Sequence, residues 1–178
     1  MKRSLLPLLC VLLLAACTSV SREQPTAFVP RPTPTVDPDT CYFTWGTQAL
    51  PEISEEFQSA LKEVISNAEG RAQAYGENCI KQDHSSTFSA MQTDFMVILP
   101  VADLTDEEAI GQLVEQVLGV VDQFSPPRVP GAKEGLIAFT VTSGENNLMF
   151  RVPVQAGRDL REQGLQGAEL LQTILANQ

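Results

Sequence analysis

A chain of 178 residues with 43% hydrophobic content has room for one ordinary globular domain and short appendages. Its 22 acids outnumber 12 Lys plus Arg, and a net charge of −10 supplies no basic patch for a phosphate backbone, which argues against nucleic acid as a partner. Four cysteines and one histidine, His84, leave little material for metal or nucleophile chemistry, and no cofactor is expected.

Residues 1–16 begin with Lys2-Arg3 and continue into the mostly apolar run Leu5 to Ala16, the grammar of a secretory signal. A spanning helix needs roughly 20 apolar residues, and this run is shorter and is interrupted by Pro7. It closes on Leu14-Ala15-Ala16-Cys17, an aliphatic residue, two small ones and a cysteine. That quartet resembles the lipobox of bacterial lipoprotein precursors, and the resemblance covers the first 17 residues. It implies that the signal peptide 1–16 is removed, that the Cys17 sulfur takes diacylglycerol, and that the new amino terminus is often acylated too. The mature protein would then sit on the extracytoplasmic face of a bacterial membrane, held through Cys17. One acyl chain holds marginally, whereas two or three, at about 0.8 kcal/mol per buried methylene, hold firmly. The resemblance also implies that an Asp after the cysteine would mark retention at an inner membrane; Thr18 stands there instead. Without Lys2 and Arg3, ten bases face 22 acids and the net charge becomes −12.

Residues 17–40 read as a lipidated cysteine followed by a stalk with prolines at 25, 30, 32, 34 and 38. Proline biases its own φ and its predecessor toward extended conformations, so the segment reaches at most roughly 70 Å at about 3.1 Å per residue. With Cys10 lost in the signal and Cys17 acylated, two cysteines remain in an exported compartment, and Cys41 and Cys79 are expected to form a disulfide. No C-x-x-C is present to favour a redox or thiolate-metal role.

The rest, 41–178, reads as a single folded domain. In "CYFTWGT" Phe43 and Trp45 alternate with Tyr42 and Thr44, a strand pattern. From Pro51, residues Ile53, Phe57, Leu61, Val64 and Ile65 recur at helical spacing until Asn67 and Gly70. Residues 71–80 and 88–99 read as strands joined by the polar "KQDHSST". Thr105 and Glu108 suggest a capping box for a helix whose stripe is Ile110, Leu113, Val114, Val117, Leu118, Val121 and Phe124. Residues 135–143 and 147–154 form a hairpin across "GEN", with Ile137, Phe139 and Val141 opposed by Leu148, Phe150 and Val152. In 158–176 the glycines at 164 and 167 weaken the helical pattern, and a helix is expected in the second half. The order is β-α-β-β-α-β-β-α. It predicts an α+β fold, an antiparallel sheet covered on one face by helices, ferredoxin-like in its first six elements.

Chemistry is sparse. His84 sits beside Asp83, Ser85 and Ser86, but side chains adjacent in a loop diverge and lack the geometry of a nucleophile, base and orienter. Asp103, Asp106, Glu107 and Glu108 suit a helix amino terminus and lack the ligand pattern of a calcium loop. With Phe43, Trp45, Phe95, Val97, Ile137, Phe139, Phe150 and Val152 toward the helices, alternation sends Tyr42, Thr44, Gln92, Asp94, Met96, Thr140, Thr142, Met149 and Arg151 to the uncovered face. That mixed face is the expected contact surface. The favoured function is a non-enzymatic, membrane-tethered binding or structural module of the cell envelope, its partner an envelope protein or small ligand. The alternatives are a hydrolase using His84 and a small-ligand carrier.

Overall fold

The computed structural model describes residues 40–178, so the signal 1–16, Cys17 and the stalk up to Asp39 lie outside the described residues. The elements are β1 (Tyr42–Ala49), α1 (Pro51–Val64), β2 (Glu69–Ile80), β3 (Ser86–Pro100), α2 (Glu107–Val121), a 3-10 turn (Asp122–Phe124), β4 (Lys133–Ser143), β5 (Asn146–Pro153), α3 (Val154–Glu162) and α4 (Gly167–Ala176). The α+β class and the expected order of the first seven elements hold. The last segment holds two helices where one was expected: Gly164 (φ +83°) and Gly167 (φ +51°) take up left-handed backbone that breaks the segment into α3 and α4.

The five strands form one curled, mixed sheet in the order β1-β2-β3-β4-β5. Two expectations are thereby corrected. The sheet is not wholly antiparallel, because β3 and β4 run parallel, Phe95 opposite Ile137 and Leu99 opposite Val141. Nor do the first six elements take the ferredoxin-like plan, which needs both helices to return the chain to its starting end. Only α2 makes such a crossover. Helix α1 starts one residue after β1 and is tied to the beginning of β2: Gln58 donates to the Ala68 carbonyl (3.0 Å) and accepts from the Gly70 N–H (2.6 Å). Gln73 is level with Ala49, so β2 begins beyond the end of β1 and runs back beside it, antiparallel.

One face of the sheet is dry. Ala72, Phe95, Val97, Leu99, Ile137, Phe139, Val141, Phe150 and Val152 are buried there against Phe57 and Leu61 of α1, the Ile110, Val114, Val117 and Val121 stripe of α2, and Leu170, Leu171 and Ile174 of α4. Helices α2 and α4 meet closely where Gly111 faces Gly167; a side chain at Gly111 would overlap the Gly167 carbonyl oxygen.

The start of α2 departs from the expected capping box. Asp106 is the cap, accepting from the Ala109 N–H (3.0 Å), while Thr105 is bonded back to Asp103 through its N–H (2.8 Å) and hydroxyl (2.9 Å). Glu108 is thereby released to accept from the Ala168 N–H at the start of α4 (2.9 Å) and from Gln112 (2.8 Å). The Ala168 N–H and then Gln112 hold its carboxyl below the ordinary value of 4.5. A depressed folded value means that the contact is fully stabilising above pH 4.5 and is lost as pH falls through the lowered value. In an acid titration by NMR, the Ala168 amide resonance is expected to shift with a midpoint below 4.5, and Glu108→Gln to abolish that shift. A midpoint at or above 4.5 would contradict the contact.

Candidate functional site

The uncovered face is built by the side chains that alternate with the core. Met96 lies between Arg71 of β2 and Ala138 of β4, and Ala138 is opposite Arg151 of β5. Gln92 is opposite Tyr75, and Thr140 opposite Met149. Gln92, Asp94, Met96, Thr140, Thr142, Met149 and Arg151 thus share the face assigned to them. Gln73, Tyr75, Gln92, Asp94, Met96, Leu136, Ala138 and Arg151 line a depression of about 420 Å³. A second depression, of about 520 Å³, reaches from Met96 and Ala138 past Arg71 to Gln58 and Lys62 of α1. Shared walls at Met96 and Ala138 join the two into one trough across four strands.

Among the described residues Asp94 is the one buried charged side chain, 7% exposed. One carboxylate oxygen accepts from Gln92 Nε2 (2.8 Å) and from the Leu136 N–H (3.1 Å). The β3–β4 register slips between Thr93 and Phe95, and Asp94 satisfies a backbone donor at that irregularity. Gly135 is needed beside it, because a Cβ there would collide with the Thr93 carbonyl and the Asp94 carboxylate. Arg151 is exposed, and its backbone N–H and C=O are both bonded by the Gln178 side chain (3.1 and 2.9 Å).

The two sides of β1 are the reverse of the expectation. Trp45 pairs with Glu77 and Thr47 with Tyr75, which puts Phe43, Trp45 and Thr47 on the open face, while Tyr42 and Thr44 lie on the other. Trp45 stacks on Tyr75, ring centroids 5.6 Å apart and planes within 8°. Phe43 and Trp45 are each 60% exposed and Tyr42 71%. Aromatics on both sides of β1 made alternation unable to say which side faces in. Arg71, Gln73 and Tyr75 were missed as members of the face. The signal for them was present: in "RAQAY" the large residues alternate with Ala72 and Ala74, and the alanines are the buried ones, 3% and 1% exposed.

Cys41 and Cys79 are joined by a disulfide with Cα atoms 5.1 Å apart, tying the start of β1 to the end of β2. Next to it, His84 occupies the turn into β3 with φ +64°. Asp83 accepts from both the N–H (2.9 Å) and the hydroxyl (2.6 Å) of Ser85, and these bonds hold its carboxyl below the usual range. The acid and the hydroxyl satisfy each other, and among the described residues no hydrogen bond joins His84 to either side chain.

On the covered side, Arg158 of α3 reaches Glu134 of β4 (2.8 Å) and Asp122 (3.3 Å), and Arg161 also pairs with Asp122. This network braces α3 against the sheet. Among the described residues no group of three or more His, Cys, Asp or Glu is arranged to hold a metal ion, and no helix is long and apolar enough to cross a membrane. No protein-family model, no curated protein and no solved structure matches the chain.

Proposed function

We propose that the chain is a lipoprotein of the bacterial cell envelope, anchored through Cys17 and held off the membrane by its proline-rich segment, that binds an envelope partner through the open face of the sheet. The observation that carries the reading is the trough, where Gln73, Tyr75, Gln92, Asp94 and Arg151 converge from β2, β3 and β5. Polar groups from separate strands around apolar Met96, Leu136 and Ala138 provide the mixture that recognition surfaces use. A small-ligand carrier is the second reading, because a depression of about 420 Å³ accommodates a compact molecule.

Two measurements test the proposal. Mass spectrometry of the membrane-extracted chain should find an acylated Cys17 as the first residue, and Cys17→Ser should release the protein from the membrane fraction. A mature terminus elsewhere, unmodified, would remove the anchor from the proposal. Capture of a partner from envelope extracts should fall about tenfold or more with Tyr75→Ala or Arg151→Glu, as for side chains central to an interface. Unchanged capture by both variants would place the contact elsewhere. Asp94 is unsuited to this test because its carboxylate holds the Leu136 N–H, so its replacement disturbs the sheet whether or not a partner binds there.

A further inference from the structure

The two edges of the sheet are treated differently. At β5 the Gln178 side chain closes both backbone groups of Arg151 (3.1 and 2.9 Å), and that strand carries a charge at Arg151. At β1, among the described residues, nothing pairs with the edge away from β2. Exposed edges are ordinarily protected by a charge, a proline or a bulge. The β1 sequence, Tyr-Phe-Thr-Trp-Gly-Thr-Gln-Ala, has no charge and no proline, and its pairing with β2 is unbroken. Each of the other strands carries at least one charged residue. In a chain of net charge −10, β1 is the strand along which two copies can approach without bringing like charges face to face.

We infer that β1 is a self-association edge: two copies pair their β1 strands antiparallel about a two-fold axis, joining two five-stranded sheets into one. Antiparallel pairing is self-complementary, so a single strand supplies both halves of the interface. The edge N–H and C=O groups that have no partner among the described residues gain one, and Phe43 and Trp45 of one copy come beside those of the other on the same face, covering aromatic surface now 60% exposed. The inference does not require the lipid anchor or the open-face partner, and its test uses neither.

The full chain with benzoylphenylalanine at position 48 is mixed in ¹⁴N and ¹⁵N forms, irradiated and digested. The expected product is a mixed-isotope peptide pair joining β1 to β1, together with a sedimentation mass twice that of the chain. Phe43→Lys with Thr47→Lys, both at exposed positions, should abolish the pair and halve the mass, with the thermal midpoint of the folded domain retained; Thr47→Lys alone is the milder variant should the double one fail to fold. The proposal is overturned by a monomer at every concentration, by crosslinks confined to residues 17–39 of the same copy, by crosslinks to another part of the second copy, or by a dimer that persists in the folded lysine variants.

Discussion

Phe57→Ala should lower the unfolding free energy by about 3–5 kcal/mol, the range for emptying a fully buried aromatic site. Phe57 is inaccessible to solvent, with its ring centroid 4.8 Å from that of Phe95 and 5.5 Å from that of Phe124. Phe95 and Phe124 are themselves 6.0 Å apart, so the three rings join α1, β3 and the turn after α2 in one cluster. The neighbours have little freedom to collapse into the vacated space: Gly70 lies against the Phe57 ring but has no side chain to fill it. Phe57 and Leu61 are the buried residues of α1, so its loss leaves the helix held by one large anchor. Denaturant titration should show a lower midpoint at constant slope. Val64→Ala, at a half-exposed position of the same helix, should stay within about 0.5 kcal/mol. A loss below about 1 kcal/mol for Phe57→Ala, the size of an average substitution, would mean that the cluster is not a structural anchor.

Removing the Cys41–Cys79 bond should have the next largest effect. The bridged residues are 38 apart in sequence, and the chain-entropy model gives about 4 kcal/mol for a loop of that size. The location of the bond gives the loss a particular form. The ribbon made by β1, the end of β2 and the start of β3 is exposed along β1, with Tyr42, Phe43 and Trp45 largely in solvent, so little burial holds it in place of the covalent link. Cys41→Ser with Cys79→Ser should therefore let the ribbon open locally before the domain unfolds. Amide exchange should speed up at Phe43, Trp45 and Cys79 while Val97 and Phe139, wholly or almost wholly buried, keep their protection. Equal acceleration at all five amides would show that the bond stabilises the domain as a whole, and an unchanged denaturation midpoint would show that it contributes nothing.

The parts of the fold legible in the sequence share a one-sided pattern. Ile110, Val114, Val117 and Val121 repeat on one stripe of α2, and all are buried. In the hairpin Ile137 meets Val152, Phe139 meets Phe150 and Val141 meets Leu148, and a two-residue turn leaves little freedom for another register. The rings of Phe139 and Phe150 stack 4.9 Å apart as a result. Most of the open face followed from the same alternation. Where apolar residues fall on both sides of a strand, as in β1, or where the buried set is only alanine, as in β2, the pattern separates two faces without saying which is inside.

The sequence alone determined the existence and order of the strands and long helices, the one-sided core, and the pair of cysteines available for a bond. These depend on periodicity and composition, which are local. Tertiary structure decided the parallel junction of β3 and β4, the sequential strand order, the outward turn of Phe43 and Trp45, and the use of Asp94 to satisfy the Leu136 N–H at a register slip. Each depends on residues far apart in the chain meeting at one place. There the summed burial and hydrogen bonding of the whole sheet choose between alternatives that a short stretch of sequence leaves equal.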